Sequence, residues 1–180
     1  PGVLQRELGG DCHVVEEGLG GRTTVYDDPL VPRRSGKDLL APALETHAPL
    51  DLVILMLATN DISYAHISAA DAADGAGELA HLVQRCELGP GGAAPKVLLI
   101  CPPPVGPFEN NWRPELWVGA DVKSRALPQE FARVASALGV PWLDSGKVIT
   151  TSPLDGWHLE ASQHGLLGVA VAGRVRELLG

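Results

Sequence analysis

Asp155 and His158 stand three positions apart in "SPLDGWHLEASQHGLLG" (152–168), in a turn that leads into a long apolar-periodic stretch. At that spacing the carboxylate can accept the imidazole Nδ1–H, fixing one tautomer and leaving Nε2 free to take up a proton and return it. A base prepared in this way calls for a nucleophile and for donors that hold a developing negative charge. Two other stretches carry such donors. In "EEGLGGRTT" (16–24) adjacent glycines let the backbone come close to a ligand, so that their N–H groups can face an oxyanion. In "LATND" (57–61) the Asn60 side-chain amide can do the same, while Asp61 holds the loop by bonding nearby backbone. Each stretch alone is equally well a plain turn: a glycine turn, an Asx-turn ending a strand, and an Asp-Gly turn ahead of a helix. His158 and His164 lie six apart, which suits no common metal-ligand spacing, and no metal is expected.

These loops need a scaffold that brings them together. Four short apolar runs predict strands: 13–17, 51–58, 96–101 and 140–144. The second and third lack period-two alternation, as strands covered on both faces do. Helical patterns separate them. Ser35 with Asp38 opens one, ahead of Leu39, Leu40, Ala43 and Leu44, and Ser68 with Asp71 opens an alanine-rich second. The second continues through Leu79, Leu82, Val83 and Cys86. Phe131, Val134, Ala135 and Leu138 form a third stripe closed by Gly139, and Leu167, Val171, Val175 and Leu178 a fourth. Strand–helix alternation predicts an α/β three-layer sandwich around a parallel sheet. The chain opens on "PGVLQRELGG", which reads as the middle of a helix with no strand before it.

With 180 residues, 45% of them hydrophobic, the sequence suits one domain spanning residues 1–180. Cys12, Cys86 and Cys101 are odd in number and widely spaced, which predicts neither a disulfide framework nor a zinc knuckle and favours a reduced, cytoplasmic setting. Export through a leader ahead of the abrupt start stays open. No apolar run approaches the ~18 residues of a membrane span, so no membrane partner is expected. Formal net charge is −8 and the cations are scattered, which argues against nucleic acid. The densest group, Arg33, Arg34 and Lys37, reads as a solvated loop, with an anion site as the lesser reading.

Taken together, "EEGLGGRTT", "LATND" and "DGWHL" resemble the glycine, GxND and DxxH blocks of the SGNH hydrolases, the GDSL esterase family, in family order. "THAPLDLVILML", "APKVLLICPPP" and "DGWHLEASQHGLLG" resemble its bacterial arylesterase/acyltransferase branch. The resemblance implies a flavodoxin-like α/β/α sandwich, no cofactor, and small acyl esters as substrates. For some members it implies acyl transfer to alcohols and assembly as homo-oligomers. It places His158 as general base, Asp155 as its partner, and Gly21 and Asn60 as oxyanion donors.

Two departures stand out. Ala58 replaces the glycine of GxND, and the Gly-Asp-Ser-Leu block is absent, so the resemblance implies a chain that starts late and lacks the serine and the first strand. Ser63, Ser35 and Ser152 are the substitute nucleophiles nearest to site elements in sequence, and water activated by His158 is a further route. Trp157, Phe108, Trp112 and Trp117 are candidates for walling an acyl or aryl pocket or for packing against another subunit. The expected activity is carboxylester hydrolysis, with acyl transfer beside it. The alternative is a catalytically silent α/β binding protein, or an esterase fragment without its nucleophile.

Overall fold

Strand β2 (Lys96–Cys101) forms the middle of the sheet, and its sequence shows why. Val97, Leu99 and Cys101 are buried toward one side, Leu98 and Ile100 toward the other, so both faces are covered. The computed structural model describes residues 1–27, 31–107 and 114–180. Within them β1 (Leu52–Leu55) and β3 (Trp142–Asp144) flank β2, all parallel, with Leu52 opposite Lys96 and Leu99 opposite Trp142. Three layers follow, as the strand–helix alternation predicts.

On one face lie α2 (Gly36–His47), α3 (Ala69–Gln84) and α4 (Ala120–Leu138), which bury Leu44, Leu79, Val83, Leu127, Phe131 and Val134. On the other face α1 (Gly2–Leu8) and α5 (Ala161–Leu179) bury Leu4, Val171, Ala172 and Val175. The helical stripes in the sequence are therefore the core faces. Helix α3 starts with a full capping box between Ser68 and Asp71, and α4 closes at Gly139 in the left-handed region (φ 63°). Among the described residues no helix is long and apolar enough to cross a membrane.

Residues 13–17, expected as the first strand, belong to no strand. Val14 N donates to Gln5 Oε1 at 2.8 Å and its side chain joins the α1/α5 layer, while Glu17 Oε1 lies 2.7 Å from His47 Nε2 at the end of α2. Local composition favours an extended backbone, but a strand exists only through a neighbour's N–H and C=O groups. Among the described residues none pairs here, and β1 has β2 as its single partner. The strand expected at 51–58 is also shorter, because the chain turns away at Ala58.

Ser35 sits at the N-cap of α2 as expected, yet its hydroxyl makes no capping bond. The first N–H groups are occupied otherwise: Gly36 N donates to Thr23 O (3.1 Å) and Lys37 N to Thr24 O (3.0 Å). The helix is thus capped by the glycine loop's own backbone. That loop also presses on α3, where a Cβ on Gly75 would stand 2.2 Å from Thr24 Oγ1. We expect Gly75→Ala to lower the urea midpoint at unchanged m, a loss of about 2 kcal/mol from overpacking. An unshifted midpoint would mean that the Thr24 loop yields without strain.

Candidate active site

The turn after β3 is shaped before any side chain acts. Ser152 N donates to His158 O (2.7 Å) and Gly156 N to Ser152 O (2.9 Å), closing residues 152–158 into a compact loop. Gly106 N donates to Gly156 O (2.7 Å), and Thr151 Oγ1 reaches Pro104 O (3.2 Å), which ties this loop to the one leaving β2. Inside it, Asp155 Oδ1 accepts from the backbone N–H of Trp157 and His158, both at 3.0 Å. Its other oxygen lies 2.7 Å from His158 Nδ1. Burial raises the Asp155 carboxyl, but the bonds from the His158 ring and from the two backbone N–H groups outweigh it and hold the pKa below the ordinary value. The carboxylate therefore stays ionised, Nδ1 is held, and the imidazole side chain is 72% exposed.

The donor side is built from two loops joined across the molecule. Asn60 Nδ2 donates to Arg22 O at 2.9 Å, beside Gly21, whose φ of 74° suits glycine. An amide has two N–H bonds, so one remains for a ligand. Asp61 bonds nearby backbone, as expected, and also reaches 37 residues back. Its Oδ1 accepts from Thr24 N (2.9 Å) and Thr24 Oγ1 (2.6 Å), and the residue is fully buried. Burial raises the Asp61 carboxyl, and the bonds from Thr24 and from the backbone at Asp61 and Ala58 only partly offset it.

From the far side, Lys123 on α4 aims Nζ at the carbonyls of Tyr64 (2.6 Å), Ile62 (3.3 Å) and Ala65 (3.4 Å), fixing the same loop. Burial pulls the Lys123 pKa down. Ala58, just before Asn60, carries φ 97° while fully buried, a conformation that glycine adopts freely and alanine does not.

The two halves meet through indole rings. Trp117 stacks on Trp157 with centroids 4.6 Å apart and planes 11° from parallel, and Trp157 lies 5.4 Å from the His158 ring. The turn carrying Trp117 (Pro114–Trp117) also touches the Asp61–Ser63 turn that follows Asn60. Gly21 and Asn60 are thus brought together, as are Asp155 and His158, with Trp117 bridging the pairs. Phe108 and Trp112 lie outside the described residues.

Two of the three serines are already engaged, and the third is buried. Ser63 Oγ donates to Asn60 O (2.6 Å), Ser152 Oγ bonds Glu160, and Ser35 is buried at the start of α2. Among the described residues no hydroxyl bonds His158 Nε2 and no cluster of three metal-ligating side chains occurs. A cleft of about 760 Å³ lined by Pro104, Val105, Ile149 and Thr151 lies beside the tethering loop and includes none of the four candidate residues. Thr24 and Lys123 were not singled out in the sequence. Thr24 follows the glycines closely enough to have been noticed, whereas nothing local marks Lys123.

Residues 1–166 match the GDSL-like lipase/acylhydrolase family. The chain is similar to the aryl esterase of M. smegmatis, solved native and with an inhibitor: 42% identity over 98% of this chain and 84% of that one, with a TM-score of 0.93. It is similar, too, to a carbohydrate acetylesterase from Sinorhizobium meliloti, at 40% identity over 98% of this chain and 84% of that one, TM-score 0.93. No match was found among curated protein sequences.

Two stability measurements test the donor loops. Ala58→Gly relieves the positive φ at some cost in chain entropy; a net gain of about 1 kcal/mol is expected, visible as a rise in Tm of roughly 3 °C. A fall in Tm would show the alanine to be unstrained. An acid whose folded pKa exceeds its unfolded one binds its proton more tightly when native. The Asp61 contribution is therefore best below about pH 4, the unfolded value, and declines as pH rises toward the folded one. Asp61→Asn keeps an acceptor for Thr24 without the charge, so its stability should hold above pH 4 where the parent declines. Parallel curves for the two proteins would refute the buried-charge account.

Proposed function

The chain belongs to the GDSL-like lipase/acylhydrolase family, as an esterase-type hydrolase, and on that premise we propose that residues 1–180 act as one domain cleaving small acyl esters. The observation that carries the mechanism is the Asp155–His158 pair, 2.7 Å apart with an exposed ring. In it, His158 Nε2 takes the proton of the attacking oxygen as that oxygen adds to the ester carbonyl. Asp155 keeps the tautomer and stabilises the imidazolium, without itself taking the proton. The carbonyl oxygen becomes an oxyanion and is received by the Gly21 N–H and the free N–H of Asn60. His158 then passes its proton to the departing alcohol.

The acyl group proposed is short and the alcohol an aryl or sugar alcohol, after the activities named for the aryl esterase and the carbohydrate acetylesterase. The stacked Trp117 and Trp157 beside the base support an apolar wall, which favours alcohols over water as acyl acceptors and supports acyl transfer alongside hydrolysis. Assembly as a homo-oligomer is part of the same proposal.

Hydrolysis of p-nitrophenyl acetate tests it. Asn60→Ala should lower kcat by about 10²–10³ with KM little changed, and His158→Ala should lower it at least as far. Fluorophosphonate labelling and peptide mapping then name the attacking oxygen: an adduct on Ser63, Ser35 or Ser152 assigns it there, and His158-dependent turnover without an adduct assigns it to water. Hydrolysis indifferent to His158→Ala would end this reading and leave a binding cleft.

A further inference from the structure

Two consecutive residues in the first turn of α4 reach opposite halves of the site. Lys123 sends its ammonium to the carbonyls of Ile62, Tyr64 and Ala65, which follow Asn60 along the donor loop. An ammonium carries three N–H donors, one for each of these neutral acceptors. Ser124 is fully buried, and its hydroxyl accepts from Val105 N (3.0 Å) while donating to Asp121 O (2.9 Å). Val105 belongs to the loop leaving β2. Its neighbour Gly106 donates to Gly156 O (2.7 Å), inside the loop that carries Asp155 and His158. From the base side Thr151 Oγ1 spans the carbonyls of Pro104 (3.2 Å) and Gly106 (3.3 Å), so the two loops move as one piece.

Consecutive α-carbons stand about 3.8 Å apart, so a single peptide unit joins the hold on the donor loop to the hold on the base loop. Helix α4 itself is seated in the core by Leu127, Phe131 and Val134, further along. The bonds at 123 and 124 therefore serve the loops more than the helix. Attack on an ester requires the base and the oxyanion donors at a fixed separation around one carbonyl, and a misplacement of about 1 Å can cost about 10²-fold. We propose that Lys123 and Ser124 are positioning residues that together set the separation between the His158 base and the Asn60 donor. This rests on the roles proposed above for His158 and Asn60 and adds the parts that keep them in register. Trp117 gives the base loop a second hold through Trp157, so the loss of one bond should be partial. Without the Ser124 hydroxyl, Val105 N–H is left buried with no acceptor, and its loop must shift to find one.

The test is a pair of double-mutant cycles on p-nitrophenyl acetate hydrolysis, with the urea midpoint of every variant measured beside it. Lys123→Met should lower kcat about tenfold with KM little changed, and Lys123→Gln, which keeps two N–H donors, should recover part of the loss. Ser124→Ala should lower kcat by a similar factor. In the Asn60→Ala background Lys123→Met should cost less than about twofold further, because the donor it positions is gone. In the His158→Ala background the same should hold for Ser124→Ala, read on the turnover that an oxyanion hole sustains without its base. Arg125→Met, at the next and exposed position, should leave kcat unchanged. If Lys123→Met does not fold, Lys123→Gln runs the same cycle. Factors carried undiminished into the Asn60→Ala and His158→Ala backgrounds would reduce both residues to stability contacts and overturn the proposal while the catalytic reading stands. An equal loss from Arg125→Met would do the same. Hydrolysis indifferent to both Asn60→Ala and His158→Ala would bring down the catalytic reading and the proposal with it.

Discussion

Asp61 joins two loops that the chain places 37 residues apart, and it does so from full burial, where a carboxylate is expensive. Its bonds to Thr24 fix the loop after residues 13–17 against the loop after β1, and Asn60 and Gly21 take their places on that joint. Gly75 on α3 leaves room for Thr24 to reach it, and Lys123 on α4 draws the other side of the Asn60 loop tight. Three helices of one layer therefore converge on one carboxylate, since α2 begins on the carbonyls of Thr23 and Thr24. The site's donors are as rigid as this joint.

The base side is held by local means. Two backbone N–H groups and one imidazole N–H converge on Asp155 within four residues, and the loop closes on itself through Ser152 and His158. Such a unit needs the fold only to be set down in the right place. The Trp117–Trp157 stack sets it there, against the turn that follows Asn60. Apolar rings beside a charged pair lower the local dielectric and strengthen hydrogen bonds to a developing oxyanion. The chain belongs to the GDSL-like lipase/acylhydrolase family, and in the mechanism proposed for it both halves of this arrangement act on the ester.

Much of this was legible because it is local or periodic. The faces of α3, α4 and α5 follow from residues repeating at helical spacing, and the buried strand β2 from an unbroken apolar run. The Asp155–His158 pair follows from a three-residue spacing inside a turn. Residues 13–17 did not, since β-propensity speaks for an extended chain and says nothing of a partner. Ser35 marks a helix start correctly, yet its hydroxyl is replaced in that duty by the carbonyls of Thr23 and Thr24, twelve and eleven residues back.

By itself the sequence determined which residues are core, where the helices start, and that a carboxylate and an imidazole pair near residue 158. Those properties depend on side-chain type and on neighbours within a turn or two. Only the tertiary structure decided that Asp61 reaches Thr24 and that Lys123 holds the Asn60 loop. Hydrogen bonds and charge pairing act over a few ångströms of space, and the chain sets those separations only once its layers have packed.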